Sequence, residues 1–263
     1  MQALEMAFAF ALGSMVGSFL NVCILRLPKN ESILFPPSHC MKCRAAIAWY
    51  DNVPVLSFCI LGARCRHCRA PISWQYPIVE MLTGFLFVLF YRQFGLGPKG
   101  VLYLYLSLAL LVQSVIDLRT RIIPDSITIP AMVVGLVASA AFPEIHDRST
   151  HMAGFWESLK GLLLGGGFLY AAGTLAEFLL KKEAMGGGDV KLLAAIGAAI
   201  GWRGVVWTIF VSSVTGSVVG LYNRVRHGEE LIPFGPYLAL GAFLYFFFGP
   251  QAIEWYFGFL KGI

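Results

Sequence analysis

Long apolar runs alternate with short polar stretches along this chain. A bilayer core about 30 Å thick takes about 20 apolar residues as a helix. The runs at 4–25, 77–95, 101–116, 127–142, 160–180, 190–201, 204–222 and 236–257 therefore predict about eight transmembrane helices. The run at 190–201 is shorter than a full crossing, but such a segment can cross where flanking backbone lies inside protein or lines a wet cavity. One long polar interruption, about 26–76, follows the first run. The pattern thus predicts a first helix (1–25), a long loop (26–76) and a helical bundle (77–263). No internal repeat or low-complexity segment is evident.

Composition supports the membrane class. Hydrophobic residues make up 57% and charged residues 13%, where an ordinary soluble chain carries about 25% charged. The net charge of +5 does not predict nucleic-acid binding, because the positive residues are spread through the inter-span loops. The first of them, Arg26, follows the first apolar run, whereas a cleavable signal peptide places its positive residues before it; the run reads as a retained span. With the N-terminus outside, the inner loops hold 14 Lys and Arg residues, Lys181 and Lys182 among them, against 6 outside. By the positive-inside rule the long loop is cytoplasmic. The predicted fold class is an all-α polytopic membrane protein with a cytoplasmic zinc-knuckle loop.

That loop carries Cys40-Met-Lys-Cys43 and Cys65-Arg-His-Cys68, separated by 21 residues. A Cys-x-x-Cys turn sets two thiolates on one side of a tight loop, and two such knuckles complete a tetrahedral Zn²⁺ site. Disulfides are disfavoured in a cytoplasmic loop, where thiols stay reduced. With Cys40, Cys43, Cys65 and Cys68 all filling the coordination sphere, the metal is structural and offers no open position for catalysis. Cys23 and Cys59 lie outside the knuckles and read as packing residues, and His39 and His67 as neighbours of the ligands. Between the knuckles, Val53 to Gly62 is too short to span; it packs on the bundle or dips into the interface, where the surrounding basic residues favour anionic lipid.

Two acidic residues border spans, and such residues are functional candidates. Asp117 follows the run ending at Ile116, and Asp189 follows Met185-Gly186-Gly187-Gly188 and opens the next run. Both are predicted near the cytoplasmic face, which makes a meeting across the bundle possible. Peptide hydrolysis needs two carboxylates sharing a water: one, ionised, takes its proton, and the other donates one. Close carboxylates do not both ionise cheaply, so such a pair divides these roles. Gly186, Gly187 and Gly188 would let an extended substrate strand approach the acid. The alternative is a pair of interfacial caps. Asp189 suits a helix start, as does Asp125 in Ile123-Pro124-Asp125. Asp117, at a helix C-terminal end where the dipole disfavours an anion, needs another reason to be there.

Together these residues resemble the bacterial type IV prepilin peptidases, the bifunctional leader peptidase and N-methyltransferase family. The resemblance runs through Gly17-Ser-Phe-Leu-Asn21, Pro37-Ser-His-Cys40 with both knuckles, and Asp51-Asn-Val-Pro-Val-Leu-Ser57. It continues through Pro71-Ile-Ser73, Tyr76-Pro-Ile-Val-Glu80, Ile116-Asp117, Ile123-Pro-Asp125, Gly186-Gly-Gly-Asp189-Val-Lys191 and Pro233-Phe-Gly-Pro236. It implies that Asp117 and Asp189 are the catalytic dyad of an intramembrane aspartyl endopeptidase. The implied substrates are type IV prepilins or pseudopilins, cut after a glycine that ends a short basic leader. Methylation of the new N-terminus with S-adenosylmethionine is implied too, as is placement in the bacterial inner membrane with the active site facing the cytoplasm.

The methyl-transfer half is less defined by motif. No Gly-x-Gly-x-x-Gly fingerprint follows a strand. Glu80, at the cytoplasmic start of the second span, is a candidate for holding the methyl donor or the amine; its alternative role is a structural partner of Arg69 or another basic loop residue. A basic leader calls for acidic surface, yet the loop holds only Glu31 and Asp51, leaving Glu229-Glu230 or anionic lipid to attract it. A transporter or proton pathway using the two aspartates, and a non-enzymatic zinc-loop scaffold of a secretion machine, are the rival readings.

Overall fold

A computed structural model describes residues 2–181, 185–228 and 232–261. Lys182, counted above with the inner loops, and the Glu229-Glu230 pair lie outside the described residues. The described chain is helical: α1 (Gln2–Arg26), the short α2 (Leu56–Ile60), α3 (Gln75–Phe94), α4 (Pro98–Thr120), α5 (Asp125–Ala141), α6 (His151–Leu180), α7 (Gly187–His227) and α8 (Gly235–Lys261). Among the described residues, α1, α3, α4, α6, α7 and α8 are long and apolar enough to cross a membrane, while α5 has 17 residues. Each of the eight predicted runs falls in a helix, but the sixth and seventh share α7, which breaks at Gly201 (φ 73, ψ 176). That positive φ is the glycine-favouring region. Beside the break, the Ala198 carbonyl accepts the hydroxyls of Ser139 (3.4 Å) and Ser158 (2.5 Å). The protein is an all-helical, multi-pass membrane protein.

The chain divides into two compact units, Met1–Gly100 and Val101–Ile263. In the first, α1 packs on α3 through small residues. A methyl group built on Gly13 would lie 2.9 Å from the Gly84 Cα, and one on Gly17 would lie 2.8 Å from the Glu80 Cα. Lipid gives apolar helices little reason to associate, so close backbone approach through a Gly-x-x-x-Gly face supplies the packing.

The loop between α1 and α3 contains a repeat that the sequence reading above overlooks. Cys40-x-x-Cys43-Arg44-Ala45-x-Ile47-x-Trp49 recurs as Cys65-x-x-Cys68-Arg69-Ala70-x-Ile72-x-Trp74. The hydrogen bonds repeat with it. Cys40 N–H donates to the Ala45 carbonyl at 2.9 Å and Cys65 N–H to the Ala70 carbonyl at 2.8 Å. Arg44 and Arg69 both hold positive φ (58 and 57), and isolated bridges His39–Ala46 and Arg64–Pro71 close the two knuckles.

In the second unit, α7 is buried along Leu192–Ile200 against α5 and α6. Glycines permit the contact. A methyl on Gly161 of α6 would sit 2.1 Å from the Gly197 carbonyl oxygen of α7, and one on Gly165 would sit 2.5 Å from that of Leu193. Gly161→Ala is accordingly expected to destabilise the unit by about 1–3 kcal/mol through overpacking. A lower thermal midpoint of the detergent-purified protein would show it; an unchanged midpoint would contradict this crossing.

Candidate active site and metal centre

Asp117 lies in the last turn of α4 and is 5% exposed. Its own helix end disfavours an anion, and the fold supplies the compensation from elsewhere. The N–H of Gly235, the first residue of α8, donates to Asp117 Oδ2 at 3.0 Å. A helix start presents unpaired N–H groups and the positive end of a dipole, both suited to a carboxylate. A methyl on Gly235 would lie 2.7 Å from that same oxygen, so the residue must be small. Gly235 is the partner of Asp117 that residue-by-residue reading missed. The signal was present in Pro233-Phe-Gly-Pro236, where Pro236 marks the start of a helix.

Asp189 occupies the first turn of α7, as predicted for a helix-start acid. The two carboxylates are close enough for their charges to interact. Ile123, in the α4–α5 connection, links their surroundings: built methyls on Gly188 and Gly235 would lie 3.0 Å and 3.4 Å from its side chain. Asp189 Oδ1 is buried and has no hydrogen-bond partner among the described residues. A buried polar atom without a partner is costly. Asp125, the expected helix-start acid of α5, also pairs with Lys191 of α7 at 2.7 Å, tying α5 to the helix that carries Asp189.

The three glycines before Asp189 differ in surroundings. The space beside Gly188 is taken by Ile123, whereas Gly187 faces open space and Gly186 only the Asp189 carboxylate. Gly186 has ordinary extended dihedrals (φ −70, ψ 135), so open space beside the backbone, rather than a glycine-only conformation, distinguishes Gly186 and Gly187. Gly235→Ala is expected to displace the Asp117 carboxylate, because the added methyl would lie 2.7 Å from its Oδ2; an unchanged position of that carboxylate in a structure of the variant would contradict this placement.

In the first unit, the sulfurs of Cys40, Cys43, Cys65 and Cys68 all lie within 4.8 Å of one another. Cys40 Sγ and Cys68 Sγ are 3.8 Å apart, close to the about 3.8 Å edge of a tetrahedron with metal–sulfur bonds of about 2.3 Å. The donor set and its spacing fit zinc. Backbone N–H groups of Cys43 and Lys42 hold the Cys40 thiol down to about 6, and those of Cys68 and His67 lower that of Cys65. Lowered thiols of this kind suit a metal ligand. The Ala45 N–H favours the Cys43 thiolate, but desolvation and the neighbouring sulfurs outweigh it and push that thiol up to about 11. Asp51 accepts two hydrogen bonds from Arg66, at 2.7 and 2.5 Å, which hold its carboxyl below the ordinary range. One of the loop's two acids is thereby committed internally.

Glu80 is buried, and its Oε2 accepts the N–H of Val55 at 2.8 Å. The expected alternative partner was Arg69 or another basic loop residue; the bond found is instead from the Val55 N–H. Asn21, from the Gly17–Asn21 motif, donates to the Tyr76 carbonyl at 3.2 Å and accepts from Gln75 Nε2 at 3.0 Å. That motif therefore secures the start of α3.

Residues 11–94 match the bacterial peptidase A24 N-terminal domain, and residues 104–221, which include both aspartates, match the type IV leader peptidase family. The prepilin leader peptidase/N-methyltransferase of Xanthomonas campestris is 36% identical over 94% of this chain and 93% of its own length. Proteins of the same name from Myxococcus xanthus and Pseudomonas aeruginosa are 40% and 33% identical, over 84% and 93% of this chain and 64% and 91% of their own lengths. No solved structure matches the chain. The chain belongs to the type IV leader peptidase family.

Proposed function

We propose that this protein cleaves the short basic leader of type IV prepilins or pseudopilins after a glycine, at the cytoplasmic face of a bacterial inner membrane, and methylates the new N-terminus. The observation that carries the reading is the convergence of the Asp117 and Asp189 surroundings on Ile123, from separate helices of one multi-pass membrane unit. Asp117 Oδ2 already accepts the Gly235 N–H, and Asp189 Oδ1 has no hydrogen-bond partner among the described residues. One carboxylate takes a proton from water as its oxygen attacks the peptide carbon, while the other protonates the carbonyl oxygen; the first then passes its proton to the departing amine as the second recovers its own from the diol. Both aspartates can take either role. Gly186 and Gly187 give the substrate strand room beside the dyad, and Gly188 seats α7 on Ile123.

Methyl transfer is assigned to the loop-bearing unit. S-adenosylmethionine supplies an electrophilic methyl group when bound. Both its sulfonium and the ammonium form of the acceptor are cations, and a buried carboxylate such as Glu80 fits either. Glu80→Gln keeps an oxygen for the Val55 N–H while removing the charge. It is expected to lower methylation by roughly a hundredfold, the order of a lost general acid–base or ion-holding group, with cleavage retained; unchanged methylation would remove Glu80 from the site. Zinc at the four cysteines holds the loop's shape. The loop's basic residues face anionic lipid, which also attracts the basic leader to the surface where the enzyme works.

The experiment for the whole reading is mass spectrometry of a purified prepilin incubated with the enzyme, with and without S-adenosylmethionine. Loss of the leader in both samples and gain of one methyl only with the donor is the expected result. An intact prepilin, or cleavage away from the glycine, would overturn it.

A further inference from the structure

We infer that α2 and its flanks form an interfacial insertion, seated in lipid where α3 enters the bilayer, with Leu56 and Ile60 directed into the acyl layer. The inference needs only that α3 spans the membrane, and it is independent of the proteolytic reading. α3 has 20 residues, and at about 1.5 Å per residue it is about 30 Å long, the thickness of the hydrocarbon core. No turn is left over to stand outside. Gln75 is therefore at the boundary, and Glu80 follows about 7.5 Å further along the axis. Helical side chains lean back toward the N-terminus, which brings the Glu80 carboxylate to the boundary or just inside it. Val55, the residue before α2, donates its N–H to that carboxylate at 2.8 Å. Phe58 of α2 packs its ring 4.9 Å from that of Trp74, immediately before α3. These two contacts hold α2 beside the first turns of a membrane-spanning helix.

The outward surface of α2 matches that depth. Leu56 and Ile60, four residues apart on one helix face, are 61% and 79% exposed, while Ser57 between them is buried. No Lys, Arg, Asp or Glu occurs from Val53 to Ala63. In water this face would be a continuous apolar patch at the membrane surface; lipid covers it without any partner chain. Trp49 and Trp74, equivalent positions of the knuckle repeat on either side of α2, are 82% and 67% exposed, and tryptophan is enriched at headgroup level. Arg64 and Arg69 follow α2 in the chain and suit phosphate headgroups.

Cys59 gives a native probe. It lies on α2 and is exposed, whereas Cys23 is buried and the other four cysteines are the proposed zinc ligands. Zinc-loaded enzyme in proteoliposomes is treated with a charged, membrane-impermeant maleimide. Cys59 is expected to react roughly tenfold or more slowly than in detergent-denatured protein, as an interfacially buried site does. A fluorophore attached to Cys59 before reconstitution should then be quenched by phospholipids carrying nitroxide on the acyl chain, and poorly by aqueous iodide. Rapid reaction with the charged reagent would overturn the inference. Protection from the reagent without quenching by acyl-chain nitroxide would overturn it too, because protein would then be the cover.

Discussion

Purified Asp117→Asn and Asp189→Asn variants are expected to lose prepilin cleavage by ~10³-fold or more, within the range for a lost general acid or base, while remaining folded in the membrane. The amide retains an oxygen for the Gly235 N–H, which Asp117 Oδ2 accepts at 3.0 Å, so α4 and α8 keep their tie. Removing either carboxylate leaves a water with one group in place of the two that must exchange protons with it. Restoration of packing without charge therefore should not restore turnover. Melting behaviour matching the unsubstituted enzyme, measured beside the assay, separates lost chemistry from lost structure. Normal processing by either variant would refute the dyad.

Cys40→Ser should have the second-largest effect, acting on a different part of the chain. It removes one of four sulfurs that lie within 4.8 Å of one another. Structural zinc contributes about 10–16 kcal/mol in small zinc domains, so the loop between α1 and α3 should lose its metal and become sensitive to protease. The helices should persist, since α1 and α3 meet through Gly13, Gly17 and Gly84. Methyl transfer should fall with the metal. Acid should mimic the substitution, because protons compete with zinc for the four thiolates. Zinc retention, followed by metal analysis after dialysis at falling pH, should decline on the acid side. A metal-free preparation with an ordered, protease-resistant loop and full activity would contradict a structural zinc site.

Much of this arrangement was legible in the sequence, and the gaps have physical causes. The apolar runs located the helices because crossing lipid imposes a length and a composition that no packing detail overrides. They could not show that runs six and seven share α7, because Gly201 breaks the helix in conformation without ending it. The cysteine spacing predicted the metal site because knuckle geometry is local. The repeat around it was on the page as Cys-x-x-Cys-Arg-Ala, yet its meaning lies in paired backbone hydrogen bonds. Asp117 and Asp189 stood out as acids at span ends. The reason Asp117 tolerates its position, the N–H of Gly235, comes from 118 residues away and no local pattern encodes it. Glu80 was identified by its place in a span, but its bond to Val55 depends on how the loop folds back.

The most direct test of the dyad uses the Asp117→Asn/Asp189→Asn double variant with intact prepilin and, separately, with pilin already freed of its leader. Mass spectrometry after incubation with S-adenosylmethionine should show the intact prepilin uncut and the pre-cleaved pilin methylated. Leader removal by the double variant would contradict the assignment of proteolysis to Asp117 and Asp189.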